Sequence, residues 1–186
     1  IFVLFFVKSF FSLDPDFGWH LTSGQYIVEH GIPHHDIYSY TMPTFAWIHH
    51  EWLADACNYL IYHYLGGYFA LSVVYAGMWT ATLWVLAQLT RHRLLILLVA
   101  TLLLPFAGIR AITWTALLSS VLIVLGQSKH PKATYLIPVV MLLWANVHGS
   151  FVVGLLYLLW RLLAKRSKAN AVILIASVTA TLITPY

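Results

Sequence analysis

DPDFGWHLTSGQYIVEHGIPHHDIYSYTMPTFAWIHHEWLAD, residues 14–55, is the stretch on which the reading of this chain turns. All six acidic residues lie in it (Asp14, Asp16, Glu29, Asp36, Glu51 and Asp55), together with six of the ten histidines. The chain around it is 61% hydrophobic with a mean hydropathy of +0.81. So concentrated a polar stretch in so apolar a chain is expected to face water and to be the working surface, with the remainder as its scaffold.

Outward from this stretch the sequence is a series of apolar runs. Ile1 to Leu13 has no small-residue cleavage site and leads straight into Asp14-Pro15-Asp16, so it reads as the end of a first spanning helix rather than a removable signal. Tyr68 to Thr90 exceeds the ~20 residues needed to cross a bilayer. Leu94–Gly108, Ile112–Gln127, Ala133–Val147, Ser150–Leu163 and Ala169–Thr184 follow, several of them short for a span. The short links between them carry the basic residues. A net charge of +4 in these positions is a topology signal and excludes a nucleic-acid-binding surface. If every run crosses, Arg91, Arg93, Lys129, Lys132, Arg161, Lys165, Arg166 and Lys168 share the cytoplasmic side, and the six acids with Arg110 share the other. The expected fold is therefore all-α: a polytopic membrane helical bundle of about seven transmembrane helices, one transmembrane domain over residues 1–186. The chain begins at Ile1 inside an apolar run and ends at Tyr186 just after another, so missing ends are allowed for. Cys57 stands alone, which excludes an internal disulfide and any multi-cysteine metal site.

Within residues 14–55, two amphipathic patterns are expected to form interfacial helices. Phe17, Leu21, Gly24 and Val28 make one stripe, with His20, Gln25 and Glu29 off it, and His30 to Pro33 ends the pattern. From Glu51, Leu53, Cys57, Leu60, Ile61 and Tyr64 lie on one side and Glu51, Asp55, Asn58 and Tyr62 on the other, until Gly66-Gly67. Between them, residues 34–47 read as irregular loop.

Asp14 and Asp16 are the candidate catalytic pair, two carboxylates at the mouth of the first helix with His20 one turn beyond. Such a pair shares a cation or divides into a base and a structural partner. Asp16 is placed to cap the helix that opens at Phe17, which stabilises its charged form and lowers its basicity. Asp14, before Pro15, is then the freer group and the expected base. Any metal, a divalent cation such as Mg or Mn, is expected on Asp14, Asp16 and His20. His20, His50, Glu51, Arg110 and His148 are the candidate substrate-binding residues. Arg110 is the one basic residue that the topology puts in a short outer link, and it suits an anionic group. His148 reaches the same level, either as a ligand or as the cap of a tight turn at Gly149. His49 reads as an interfacial helix cap.

Leu13-Asp-Pro-Asp-Phe-Gly-Trp-His-Leu-Thr-Ser-Gly-Gln25, followed by Tyr40-Thr41 and His50-Glu51-Trp52-Leu53, resembles the GT-C class of membrane glycosyltransferases, most closely their bacterial members. In that class an acidic motif follows the first helix in a long extracytoplasmic loop with two juxtamembrane helices. The layout agrees over the whole chain; the residue motif is confined to Leu13–Leu53. The resemblance implies transfer of a sugar, with inversion, from a polyprenyl-phosphate-linked donor, with a loop aspartate as base, Asp14 or Asp16 here. It also implies a bacterial plasma membrane, membrane lipids as surroundings, residues 14–55 outside the cytoplasm, and a chain that is the N-terminal seven-helix part of a longer enzyme. Two other classes stay open: a non-catalytic membrane subunit that binds a partner through the acidic and histidine-rich loop, and a metal-dependent membrane oxidase built on the His30-x-x-x-His34-His35 spacing.

Overall fold

The computed structural model describes residues 1–42, 44–90 and 92–186, with Pro131 described by its backbone alone. Arg91, one of the residues assigned to the basic side, lies outside the described residues. The fold is all-α: α1 (Phe2–Phe11), α2 (Phe17–His30), α3 (Trp52–Leu65), α4 (Gly67–Ala87), α5 (Arg93–Leu103) with a 3-10 turn at Leu104–Phe106, α6 (Ile112–Gln127), the single turn α7 (Pro131–Thr134), α8 (Ile137–Val147), α9 (Phe151–Ala164) and α10 (Lys168–Thr181). Among the described residues there is no strand, and one isolated bridge joins His35 and Ala46 in the α2–α3 connection.

Local chemistry sets the boundaries. Gly31 closes α2 at φ 88°, its N–H bonded to the Ile27 carbonyl. Gly66 (φ 118°) and Gly67 (φ 65°) stand together in the left-handed half of backbone space, where side chains are disfavoured, and turn the chain from α3 directly into α4. The run expected from Ala133 to Val147 is divided, because Pro138, in the first turn of α8, has no N–H to carry one helix through from α7.

Among the described residues α1, α4, α5, α6, α8, α9 and α10 pass alternately between two poles. At one pole, the end of α1 meets the start of α4 through the Tyr68 hydroxyl, which donates to the Ser9 carbonyl. There Arg110, just before α6, pairs with Asp14. Asn146 near the end of α8 accepts from Trp52 and donates to the Ile183 carbonyl beyond α10, and His148, between α8 and α9, meets Glu51. At the other pole Ile1, Ala87 and Arg93 line one cavity, while Arg161 packs on Gly126 and bonds Asn170. Helices α2 and α3 lie at the first pole, with the acids; Lys129, Lys132, Lys165, Arg166 and Lys168 sit in the links of the other.

Among the described residues, α4, with 21 residues, is the one helix long and apolar enough on its own to cross a membrane. The other six passes are 10 to 16 residues long, fewer than the seven crossings expected from the apolar runs require. Packing comes from large side chains directed inward: Phe5 stacks on Trp79 at 5.8 Å between α1 and α4, and Met141, Trp144 and Val147 centre a second cluster where α8 meets α6, α9 and α10. Gly154 lets α9 close on α8, since a Cβ there would stand 2.8 Å from the Met141 sulfur. The outward faces are apolar as well, with Leu94, Leu102, Trp160, Leu163 and Ile175 all more than half exposed.

The tightest helix approach is α2 on α3. A Cβ built on Gly24 would meet the Asp55 carbonyl oxygen at 2.1 Å, a backbone atom that cannot swing aside. Gly24→Ala is therefore expected to push the two helices apart and lower stability by ~1–3 kcal/mol. Gly18→Ala on the same helix, where nothing lies within 4 Å, gains helix propensity and is expected to raise it by up to ~1 kcal/mol. Unfolding midpoints in detergent check the pair, and equal shifts in both would contradict the close approach.

Candidate functional site

The first turn of α3 carries Glu51 at its N-cap and Asp55 one turn on, so the two carboxylates stack on one face. Like charges at this spacing repel, and the fold answers with imidazoles. Gly24 lets α2 approach closely enough for His20 Nδ1 to stand 2.9 Å from Asp55 Oδ1 and 3.6 Å from Glu51 Oε2. From the other side His49 Nε2 lies 2.8 Å from Asp55 Oδ2, and the Trp47 indole N–H donates to His49 Nδ1 at 3.3 Å. An indole nitrogen only donates, so His49 Nδ1 must accept, and its proton sits on Nε2, aimed at Asp55. Asp55 is 1% exposed.

Glu51 is shared with the bundle. Its Oε1 is 3.3 Å from His148 Nε2 and 3.7 Å from His50 Nε2. Extended backbone at His148 (φ −164°) takes the chain out of α8 and leaves its ring beside α6: His148 Nδ1 is 2.6 Å from Ser150 Oγ and 2.9 Å from Thr115 Oγ1. The two histidines are tuned in opposite directions. The hydrogen bond to Asp55 raises the His20 pKa, against its burial and with further help from the charges of Asp55, Glu51 and Asp16. Burial lowers that of His148, opposed by the Glu51 charge and reinforced by His50 and His20.

A cavity of about 490 Å³ opens above this group, lined by Asp16, Trp19, His20, Trp47, Ile48, His49, His50 and Glu51. The α2–α3 connection walls it with aromatic rings. Asp36 Oδ1 accepts from the Tyr38 and Ser39 N–H groups, and Trp47 N–H bonds the His34 carbonyl, folding the connection back on itself. Tyr38 then lies 4.0 Å from the Trp19 ring centre, with Trp47 6.2 Å from Trp19. A second, apolar groove of about 550 Å³ begins at the next residue, Trp52, and runs along Leu53, Val139, Leu142, Leu143 and Ile183.

The chain matches no family model, no curated protein and no solved structure. Its site is therefore read from its own geometry.

That geometry reassigns several expected roles. Asp14 is not the freer of the two aspartates: its Oδ2 holds Arg110 Nε at 2.5 Å and its Oδ1 accepts the Asp16 N–H. Asp16 is the exposed one. It occupies the N-cap of α2 with backbone in the helical region (φ −87°, ψ −1°), and its side chain makes no cap bond. Asp14, Asp16 and His20 are not gathered as a metal set, because His20 turns to Asp55 and Glu51. Arg110, expected on a ligand anion, has Asp14 as partner. His49 is not a surface cap; it is buried on Asp55. His30, His34 and His35 diverge, with His30 stacked on Tyr26, His34 edge-on to Tyr186, and His35 in the bridge to Ala46. Among the described residues the one cluster with converging ligand atoms is His20, Glu51 and Asp55, all within 4.8 Å of one another. Asp55 is the functional residue missing from the sequence reading; the i, i+4 pairing of two acids at a helix start was the signal for it.

Removing His49 leaves a buried carboxylate oxygen without its donor. His49→Ala is expected to cost ~3 kcal/mol or more in reversible unfolding, whereas the exposed His50→Ala should stay within ~0.5 kcal/mol of the parent. A small loss at His49 would mean that water replaces the imidazole at Asp55.

Proposed function

We propose that the chain is the membrane-embedded part of a glycosyltransferase that moves a sugar from a polyprenyl-phosphate-linked donor to an acceptor hydroxyl at the acidic, extracytoplasmic pole. The observation that carries this reading is a pair of cavities lined by consecutive residues, a polar one walled by aromatic rings that reaches Glu51 and an apolar groove that starts at Trp52. An amphiphilic donor, with a sugar that stacks on aromatic faces and a hydrocarbon tail, fits that division. The outward apolar faces, the alternating passes and the basic links at the far pole support a bilayer around the bundle with the positive pole cytoplasmic. The resemblance of residues 13–53 to GT-C enzymes supports the same assignment.

In this reading the acceptor oxygen attacks the anomeric carbon. The bond from that carbon to the phosphate oxygen breaks, and polyprenyl phosphate leaves with the electron pair. The acceptor proton passes to a carboxylate facing the cavity. Asp16 suits that role better than Asp14, because its carboxylate lines the cavity and has no guanidinium holding its charged form. Asp14 then positions Arg110. A guanidinium has five N–H donors, and Asp14 engages Nε, so the others remain to meet the leaving phosphate.

With the protein in liposomes containing a polyprenyl-phosphate sugar, Asp16→Asn is expected to cut transfer by about 100-fold or more. Arg110→Ala should weaken donor binding as well as turnover. Full activity in both Asp14→Asn and Asp16→Asn would remove the enzyme reading and leave the partner-binding subunit in its place.

Topology has its own test. Cysteines introduced at Lys129 and Lys165 are expected to label from one side of the membrane and one at Asp36 from the other. Labelling of positions 36 and 129 from the same side would end the seven-pass orientation.

A further inference from the structure

The strongest feature that the transfer chemistry leaves unused is the convergence of His20, Glu51 and Asp55. His20 Nδ1 stands 2.9 Å from Asp55 Oδ1 and 3.6 Å from Glu51 Oε2, two separations close to the edges of a coordination shell, and one ligand atom from each of the three residues lies within 4.8 Å of the others. For bonds of about 2.1 Å, neighbouring ligand atoms stand ~3.0 Å apart in an octahedron and ~3.4 Å in a tetrahedron. One imidazole nitrogen thus stands against both carboxylates.

The supporting groups are the second observation. Each carboxylate has its other oxygen held from outside, Asp55 Oδ2 by His49 Nε2–H and Glu51 Oε1 by His148 Nε2 at 3.3 Å. Trp47 in turn fixes the His49 tautomer. The His49 bond is of the kind that orients a metal ligand from outside, and it leaves Asp55 Oδ1 on the side of His20.

Charge makes the same demand. Glu51 and Asp55 side chains are 13% and 1% exposed. The groups that face them are His20, His49, His50 and His148, with Asp16 across the cavity. Arg110, at the same pole, is paired with Asp14. Two neighbouring carboxylates taken out of water are costly unless positive charge reaches both, and a divalent ion bound between them supplies it.

We infer that His20 Nδ1, Glu51 Oε2 and Asp55 Oδ1 form a binding site for a divalent transition-metal ion of the Zn²⁺ or Mn²⁺ type, with its remaining positions open to the cavity beneath Trp19 and Trp47. One imidazole with two carboxylates is too nitrogen-rich to favour Mg²⁺ and lacks the thiolates of soft-metal sites. The inference stands apart from the transferase reading, because the site needs no donor sugar to fill.

The test uses the full chain, purified in detergent, stripped with a chelator and titrated with Zn²⁺, Mn²⁺ and Mg²⁺ by calorimetry. One equivalent of Zn²⁺ or Mn²⁺ is expected, at an affinity at least 100-fold above that for Mg²⁺. Because Asp55→Asn also removes a buried charge that the fold uses, His20→Gln and Glu51→Gln carry the test, each first shown to keep the parent's helical circular dichroism. Both are expected to lower affinity by about 10- to 100-fold or more, while His30→Ala, far from the cluster, leaves it unchanged. Bound Mn²⁺ should show nitrogen modulation in pulsed electron spin resonance that disappears in folded His20→Gln. Absence of stoichiometric binding, selective binding of Mg²⁺, or parental affinity in both folded variants would overturn the assignment. A protein that binds metal yet transfers no sugar would keep this site and discard the transferase.

Discussion

Asp55 is a carboxylate in the interior of a helical protein, and the acidic pole is organised around satisfying it. Taking such a group out of water costs several kcal/mol unless hydrogen bonds and charge return to it. The two groups that answer come from distant places in the chain, His20 on α2 and His49 just before α3. For both to reach one carboxylate, α2 must approach α3 at Gly24, and the connection between them must fold back to deliver Trp47 and His49 together. Glu51, one turn earlier, extends the constraint to the bundle through His148, and Trp52 adds its bond to Asn146. The polar loop is thereby fastened to the apolar helices by side-chain contacts at the end of α8 and the start of α9.

Much of the architecture was legible because it rests on patterns of neighbouring residues. The amphipathic stripe with Gly24 anticipated a helix ending at His30, and the break at Gly66-Gly67 fell where two left-handed residues turn the chain. Alternation of acidic and basic links anticipated the order of the poles. Helix lengths were less legible. Leu94–Gly108 tightens at Pro105 into a 3-10 turn, and Ala133–Val147 breaks before Pro138, so apolar runs overstate the continuous helix they contain.

The site was half legible, and the division has a physical cause. Residues 14, 16, 20, 50, 51, 110 and 148 do gather at one pole, as charge and spacing implied. Their partners did not follow from sequence. An aspartate before a helix caps it only if its backbone is extended, and Asp16 adopts helical angles that leave its carboxylate free. Asp14 finds Arg110 across 96 residues, a pairing that no local pattern encodes. His49 and Asp55 sit on opposite sides of a helix start, where burial by α2 could not be read from α3 alone.

The shortness of the passes bears on the surroundings that such a bundle would impose. Helix α6, at 16 residues, rises about 24 Å, and α9 and α10, at 14, about 21 Å, against a hydrocarbon layer of ~30 Å. Embedded in a bilayer, a body of this height creates hydrophobic mismatch, and the cheapest relief is for the surrounding leaflets to thin. Headgroups would then dip toward the acidic pole, and the apolar groove that starts at Trp52 would open into the thinned lipid.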